Sequence, residues 1–274
     1  MANKIDIEPN ATVAGVMAGF RLRRDDGPPR MLDDGRVRAR LRTWPHQPGV
    51  AQIVLTDHTK SPSFTTLDDW LQVLRRWNYQ RVRTGALAAS ATDAFVEHGF
   101  DKVQTLALLK ATISRRTEFT TPAHELRAIR GPRQLSIAER IDDEAFETGW
   151  ELDSAAIVDA CHATPQHRLR LAVTSADEPA GYVITGRNGS AGFVQRLAVR
   201  PEHESQGIAT SLLLDGLRWL QRRGVREVLV NTDFENQRAL DLYARFGFTL
   251  LADSLQVFEL DLRADSGPTD PETT

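Results

Sequence analysis

The stretch Gln195–Leu220, QRLAVRPEHESQGIATSLLLDGLRWL, passes from a short apolar segment through a charged, glycine-containing turn into an amphipathic helix expected over 207–223. A strand that empties into a helix N-terminus leaves backbone N–H groups unpaired at the positive end of the helix dipole, a place that favours anions. Gly207 has no Cβ, so an anion such as a diphosphate can approach the main chain. Gln206, Ile208, Ala209 and Thr210 would present N–H groups around it, and Ala209 is small for the same reason. Taken alone, the turn reads more readily as a plain strand-to-helix connection.

A second stretch completes the pattern. In Val228–Phe248, VLVNTDFENQRALDLYARFGF, an apolar strand ends at Asn231 and a helix opens near Asn236. Ala239 and Tyr243 lie one turn apart on one face of that helix, and Gly247-Phe248 closes it as a C-cap. Together the two stretches resemble the GNAT superfamily of acyl-coenzyme A dependent N-acyltransferases. The family signature is a Q/R-x-x-G-x-G/A loop after a strand, then N-x-x-A-x-x-x-Y-x-x-x-G-F. The second element matches throughout from Asn236 to Phe248. In the first, Gly207 and Ala209 match, while Glu204 stands where Gln or Arg is usual and Ser205 replaces a frequent glycine. The resemblance covers roughly residues 123 to 262.

The resemblance implies an α/β (α+β) fold with a mixed central sheet flanked by helices, and acetyl-coenzyme A as cosubstrate. It implies that the strand 191–199 splays from its neighbour, so that the main chain of Leu197, Ala198 and Val199 pairs with the pantetheine arm. Glu204, Ser205 and the Gln206–Thr210 loop would hold the diphosphate, with Asn231, Asn236 and Ala239 bordering the arm. Tyr243 would act as general acid on the departing thiolate. Asn236 reads equally as a helix N-cap. No acid lies in 191–199 to serve as general base, and Asp233 and Glu235 are the nearest candidates. Upstream, IDDEAFETGWELD carries six carboxylates, Asp142, Asp143, Glu144, Glu147, Glu151 and Asp153, and no basic residue. In this fold the segment borders the acceptor cleft, so Phe146, Trp150 and Glu151 are assigned to substrate, and the acidic run is read as drawing in a cationic amine or as a solvated helix face.

The N-terminal half reads as a decayed copy of the same unit. Placing Gly99-Phe100 on Gly247-Phe248 sets Phe95 on Tyr243, Ala91 on Ala239 and Ala88 on Asn236, so the frame persists without the hydroxyl and the amide. No glycine lies between Gly49 and Gly85, which removes the open anion nest. The expected organisation is two GNAT-like domains, a degenerate one over 1–115 and an active one over 123–263, joined by a linker at 116–122 and followed by a disordered tail at 264–274. Basic and acidic residues number 34 and 37, which argues against a nucleic-acid partner. No apolar run approaches the ~20 residues of a membrane span. Cys161 is the one cysteine and is read as a small buried residue, while His162, His167 and His203 lack metal-ligand spacing, so no metal is expected. These features lead to the expectation of a soluble, cytoplasmic N-acetyltransferase that acts on a small-molecule or peptide primary amine. The tandem arrangement is similar to that of mycothiol synthase. A mycothiol synthase-like enzyme, a protein N-terminal or lysine acetyltransferase, and an acyl-coenzyme A sensor without turnover are the alternatives.

Overall fold

The structure is a computed structural model in which residues 30–33, 35–57 and 60–263 are described. The expected tail at 264–274 lies outside them. Among the described residues, one compact unit takes the chain up to Leu106 and again from Asp253, and the other spans Ala107–Ala252.

In the first unit, strands β1 (Arg30–Asp33), β2 (Arg38–Trp44) and β3 (Gln47–Leu55) form an antiparallel run. Strand β4 (Arg81–Thr84) joins β3 in parallel. Between them lies helix α1 (Phe64–Arg76), which buries Leu67, Trp70, Leu71 and Leu74 in one core with Ile53, Leu55 and Val82. A short strand β5 (Leu87–Ala88) and a one-turn helix α2 (Asp93–Glu97) follow. The last strand of the chain, β12 (Thr249–Asp261), passes into this unit from Asp253 and pairs antiparallel with β4, Leu260 opposite Val82, and with β5, Leu255 opposite Ala88. This partition differs at its C-terminal end from the 123–263 boundary read from sequence, because the backbone groups of β4 and β5 find their partners in β12.

Strand β6 (Asp101–Thr112) leads into the second unit. There β7 (Glu125–Ala128), β8 (Gln166–Val173), β9 (Pro179–Asn188) and β10 (Ala191–Val199) run antiparallel in chain order, and β11 (Glu227–Asp233) adds to β10 in parallel. Helices α3 (Pro132–Ala145) and α4 (Ser154–His162) share one core with Leu171, Tyr182, Ile184 and Ala198. Helix α5 (Ile208–Arg222) contributes Leu212, Leu213, Leu217 and Leu220, all fully buried, to a second core with Val194, Val228 and Val230. Helix α6 (Gln237–Arg245) packs its buried Leu242 and Tyr243 into that second core.

The duplication read from sequence has a local geometric counterpart in each unit. Gly99 and Gly247 both adopt φ of 76°, the left-handed conformation that ends a helix. Phe100 N–H donates to Phe95 O (3.0 Å), and Phe248 N–H donates to Tyr243 O (3.1 Å). Ring centroids lie 5.2 Å apart for Phe95–Phe100 and 5.5 Å for Tyr243–Phe248. The same C-cap, with the same pair of rings across it, is built twice.

Close approach between β9 and β10 requires Gly181, where a Cβ would sit 2.6 Å from the backbone oxygen of Ala198. A backbone atom inside a sheet has little room to yield. Gly181→Ala is therefore expected to cost about 1–3 kcal/mol through overpacking. The readout is the urea midpoint at unchanged m value, and a wild-type midpoint would show that the two strands have slack.

Candidate active site

The site begins with one extra residue. The antiparallel register of β10 with β9 shifts between Val194 and Arg196, a β-bulge at Gln195. Ahead of the bulge Val194 faces the core of α5, and beyond it Ala198 faces the core of α3 and α4. The inserted residue has exchanged the faces of the strand. It also coincides with the end of pairing to β11, whose parallel register closes with Val194 opposite Val230. Arg200 N–H donates to Ala180 O (2.9 Å), so by the alternation of an antiparallel ladder Ala198 and Arg196 also turn their peptide groups to β9. Those of Leu197 and Val199 turn the other way, to the side that β11 has left. Of the three residues expected to offer main-chain groups to the pantetheine arm, Leu197 and Val199 turn theirs away from β9, while Ala198 turns its own toward β9.

The loop after β10 then reverses direction. A single 3₁₀ turn, Pro201–His203, precedes Ser205 at φ of 61° and Gly207 at φ of 81°. A left-handed serine is the position at which a glycine would be unstrained, which explains the frequent glycine of the family loop at that point. Gly207 is the N-cap of α5 and supplies no side-chain cap, so the helix opens with its first amide groups uncapped by any side chain. A Cβ on Gly207 would meet only His124 Cε1, at 3.7 Å. The side chain of Ile208 is buried in the core, leaving its amide as the part that can face a ligand, while Ala209 packs half-buried beside it. In the first unit α1 differs: Ser63 Oγ accepts from Thr66 N–H (3.1 Å) and closes that helix end.

Three further elements meet here. Leu197, Val199, Ala209 and Ala239 all pack against the cluster that holds Tyr243. Tyr243 is 5% exposed, and burial holds its phenol well above the ordinary range, so it is protonated and able to donate throughout the neutral range. Asn236 caps α6 through Oδ1, which accepts from Ala239 N–H at 3.0 Å, and Asn231 is exposed. Glu204, unusual for its position, forms an ion pair with Arg238 in the first turn of α6. Asp233 Oδ1 accepts from Glu235 N–H (2.8 Å), which fixes the turn before α6.

The acidic segment behaves otherwise than its sequence implies. Asp142 is fully buried and receives Arg196 Nε at 2.9 Å, Arg196 Nη2 at 2.6 Å, Leu152 N–H at 2.6 Å and the Tyr182 hydroxyl. Burial, and next the Asp142 carboxylate, push the Tyr182 phenol far up, so it stays a donor. Glu144 pairs with Arg200 at 3.2 Å, Asp153 caps α4 by accepting from Ala156 N–H at 2.7 Å, and Glu151 accepts from Gly149 N–H. The run has no basic residue of its own, but two of its carboxylates, Asp142 and Glu144, are met by Arg196 and Arg200, which arrive from β10 and the loop after it, more than 50 residues along the chain. Phe146 and Trp150 surround the same guanidinium, the Phe146 ring 3.4 Å from Arg196 Cζ and Trp150 O accepting from Nη2 at 2.8 Å. The sequence signal that points to this cluster is Arg196 itself, the one charge inside the otherwise uncharged run 191–199.

Burial pushes the Cys161 thiol up to about 12, as suits a small core residue. His162 and His167 lie with ring centroids 5.4 Å apart, and among the described residues no group of three or more His, Cys, Asp and Glu is placed to hold a metal.

Asp142 and Arg196 together anchor the loop between α3 and α4 through Leu152 N–H and Trp150 O. Asp142→Ala would strand a buried guanidinium at a cost of about 3–5 kcal/mol. The double variant Asp142→Leu with Arg196→Met should recover much of that stability in chemical denaturation, while limited proteolysis within 146–153 stays faster than in wild type. Slow, wild-type cleavage in the double variant would show that the loop is held by something else.

Residues 135–248 match the model of the Acetyltransferase (GNAT) family. N-alpha-acetyltransferase 30 of Schizosaccharomyces pombe is 37% identical over 57 residues, 21% of this chain and 38% of that protein, so the chain spans less than two fifths of that relative. A mycothiol acetyltransferase of Streptomyces avermitilis is 24% identical over 276 residues, covering 82% of this chain and 84% of that protein. A solved tandem GNAT protein from the clavulanic acid biosynthesis pathway superposes with a TM-score of 0.61 at 15% identity, over 91% of this chain and 86% of that one, and shares the fold. Among the described residues no helix is long and apolar enough to cross a membrane. The matched residues take in helices α3 to α6, the bulged strand β10, the loop before α5 and Tyr243, and it is this part of the chain that is similar to the GNAT acetyltransferases.

Proposed function

We propose that the protein is an acetyl-coenzyme A dependent N-acetyltransferase acting on a primary amine of a small molecule or peptide. The observation that carries this reading is the junction of β10 and α5: the unpaired peptide groups of Leu197 and Val199 lead to a helix N-terminus entered through two left-handed residues and capped by no side chain. An edge of strand-like donors and acceptors suits the amide-bearing pantetheine arm, and the α5 amides suit its diphosphate. When bound, the acyl thioester supplies the electrophilic carbonyl and a thiolate leaving group. The chain orients that arm against Leu197 and Val199, and the Tyr243 phenol delivers its proton to the departing sulfur.

The α1 end in the first unit, closed by Ser63, supports a single coenzyme site per chain. Relatives named for mycothiol and for N-alpha acetylation favour an amine of a small molecule or of a peptide N-terminus as acceptor over steering by an acidic surface, since Arg196 and Arg200 pair with two of the six carboxylates in 142–153. Thiol release from acetyl-coenzyme A on addition of amines and peptides separates turnover from a sensor that only binds.

Tyr243→Phe keeps the ring beside Phe248 and removes the proton donor. With the best acceptor, kcat should fall by about 10²- to 10⁴-fold, toward the smaller end because a thiolate leaves partly unassisted. Coenzyme A affinity by calorimetry should stay within about twofold of wild type, far below the roughly tenfold that 1.4 kcal/mol represents. Wild-type kcat with chemistry rate-limiting would assign Tyr243 to the core alone.

A further inference from the structure

The C-terminal end of α5, opposite the junction with β10, gathers positive charge that the chemistry above does not use. Gly216 of α5 lies over β9, where a Cβ would sit 2.7 Å from Thr185 Oγ1. Arg187 follows Thr185 on the same face of β9. Arg168, opposite Thr185 in the register of β8, turns to that face too, since its guanidinium donates to Asp215 of α5 at 2.8 and 3.0 Å. Arg223, two turns beyond Gly216, closes the cluster from the helix side, next to the exposed Arg222. Two of these guanidiniums have anchors of their own. That of Arg187 donates to Gly189 O (2.8 Å) and Gln166 Oε1 (3.2 Å), and that of Arg223 lies 4.4 Å from the centre of the Trp219 ring. Asp215 serves Arg168 and also Arg170, at 3.5 Å, and among the described residues no carboxylate pairs with Arg187, Arg222 or Arg223. Partial desolvation, and next the charges of Arg168, Arg222 and Arg187, hold the Arg223 guanidinium below its ordinary range, yet arginine keeps its proton, so the repulsion stands. One arginine would complement the carbonyls that end the helix; this cluster exceeds that need.

We propose that Arg187, Arg222 and Arg223 form a docking surface for an acidic segment of a partner protein, with several carboxylates along an extended chain. Separate anchors distribute the guanidiniums over the ends of β9 and α5, which matches carboxylates in a row rather than one small anion. None of the exposed large apolar side chains among the described residues belongs to β8, β9 or α5, so the surface offers nothing to a membrane or to an apolar helix. The chain has a net charge of -3, and the field of this cluster fades within about 8 Å at physiological salt, which suits a short segment and not a long nucleic acid. Helix α5 has 15 residues, so the surface lies about 20 Å from its uncapped N-terminus and docking leaves that end open.

Anisotropy of a labelled polyglutamate peptide titrated with the full chain tests this. Binding should be present at low ionic strength and weaken as salt rises. Reversal of two charges, Arg222→Glu with Arg223→Glu, should weaken it by at least about tenfold, and Arg187→Gln by about threefold. The neutral pair Arg222→Gln with Arg223→Gln should lie between, and coenzyme A affinity in each variant should remain that of wild type, which reports an intact fold. The same two-charge reversal on the opposite face of the sheet, Arg133→Glu with Arg140→Glu on α3, should leave peptide affinity nearly unchanged. No binding at low salt, wild-type affinity in the Arg222 and Arg223 variants, or an equal loss in the α3 pair would overturn the surface. Tighter binding of a DNA duplex than of polyglutamate at matched salt would also overturn it, in favour of a nucleic-acid site.

Discussion

The site depends on the β-bulge at Gln195. An ordinary strand would carry its alternation and its pairing with β11 unbroken to Val199, leaving no open peptide edge. The additional residue between Val194 and Arg196 does three things at once. It turns Arg196 toward α3, where Asp142 waits in a fully buried position. It turns Leu197 and Val199 toward the core of α5 and α6 that holds Tyr243. It also accompanies the loss of parallel pairing, which frees the peptide groups a strand-like ligand needs. The Asp142–Arg196–Tyr182 network is then the counterpart of the bulge, because it fixes the strand after its change of face.

The two units share one local frame and differ in a few side chains. Both carry a C-capping glycine at the same φ and the same pair of rings across it. The first has Phe95, fully buried, where the second has Tyr243, and its α1 end is occupied by the Ser63 hydroxyl where the second has Gly207. At the helix N-terminus the two differ in backbone as well as side chain, Ser63 extended with a capping hydroxyl and Gly207 left-handed with none, whereas at the C-cap the backbone is the same and only the ring hydroxyl differs.

Much of the fold and part of the site were legible because they are local. The Gly207 turn, the Asn236 cap, the Gly247 C-cap and the amphipathic α5 are each decided within a few residues, and the sequence reading places them within one or two positions. Features decided at long range were not legible. Helix α4 is short and apolar on most sides, so its spacing carries little periodic signal, and Asp153, read as part of an acidic run, is its N-cap. Asp142 looked like one carboxylate among six because its partner lies 54 residues away. The Glu204 substitution makes sense only beside Arg238. The membership of β12 in the first unit could not be read from its composition, since what decides it is the set of unpaired backbone groups on β4 and β5.

The central claim is that the open junction of β10 and α5 is the coenzyme site and that the closed end of α1 is not. Residue-resolved amide hydrogen exchange on the full chain, with and without coenzyme A, tests it most directly. The account predicts added protection at Leu197, Val199 and Ile208–Thr210, and none at Thr65–Leu67 behind Ser63. Equal protection at both helix ends, or none along Leu197–Thr210 at saturating coenzyme A, would contradict it.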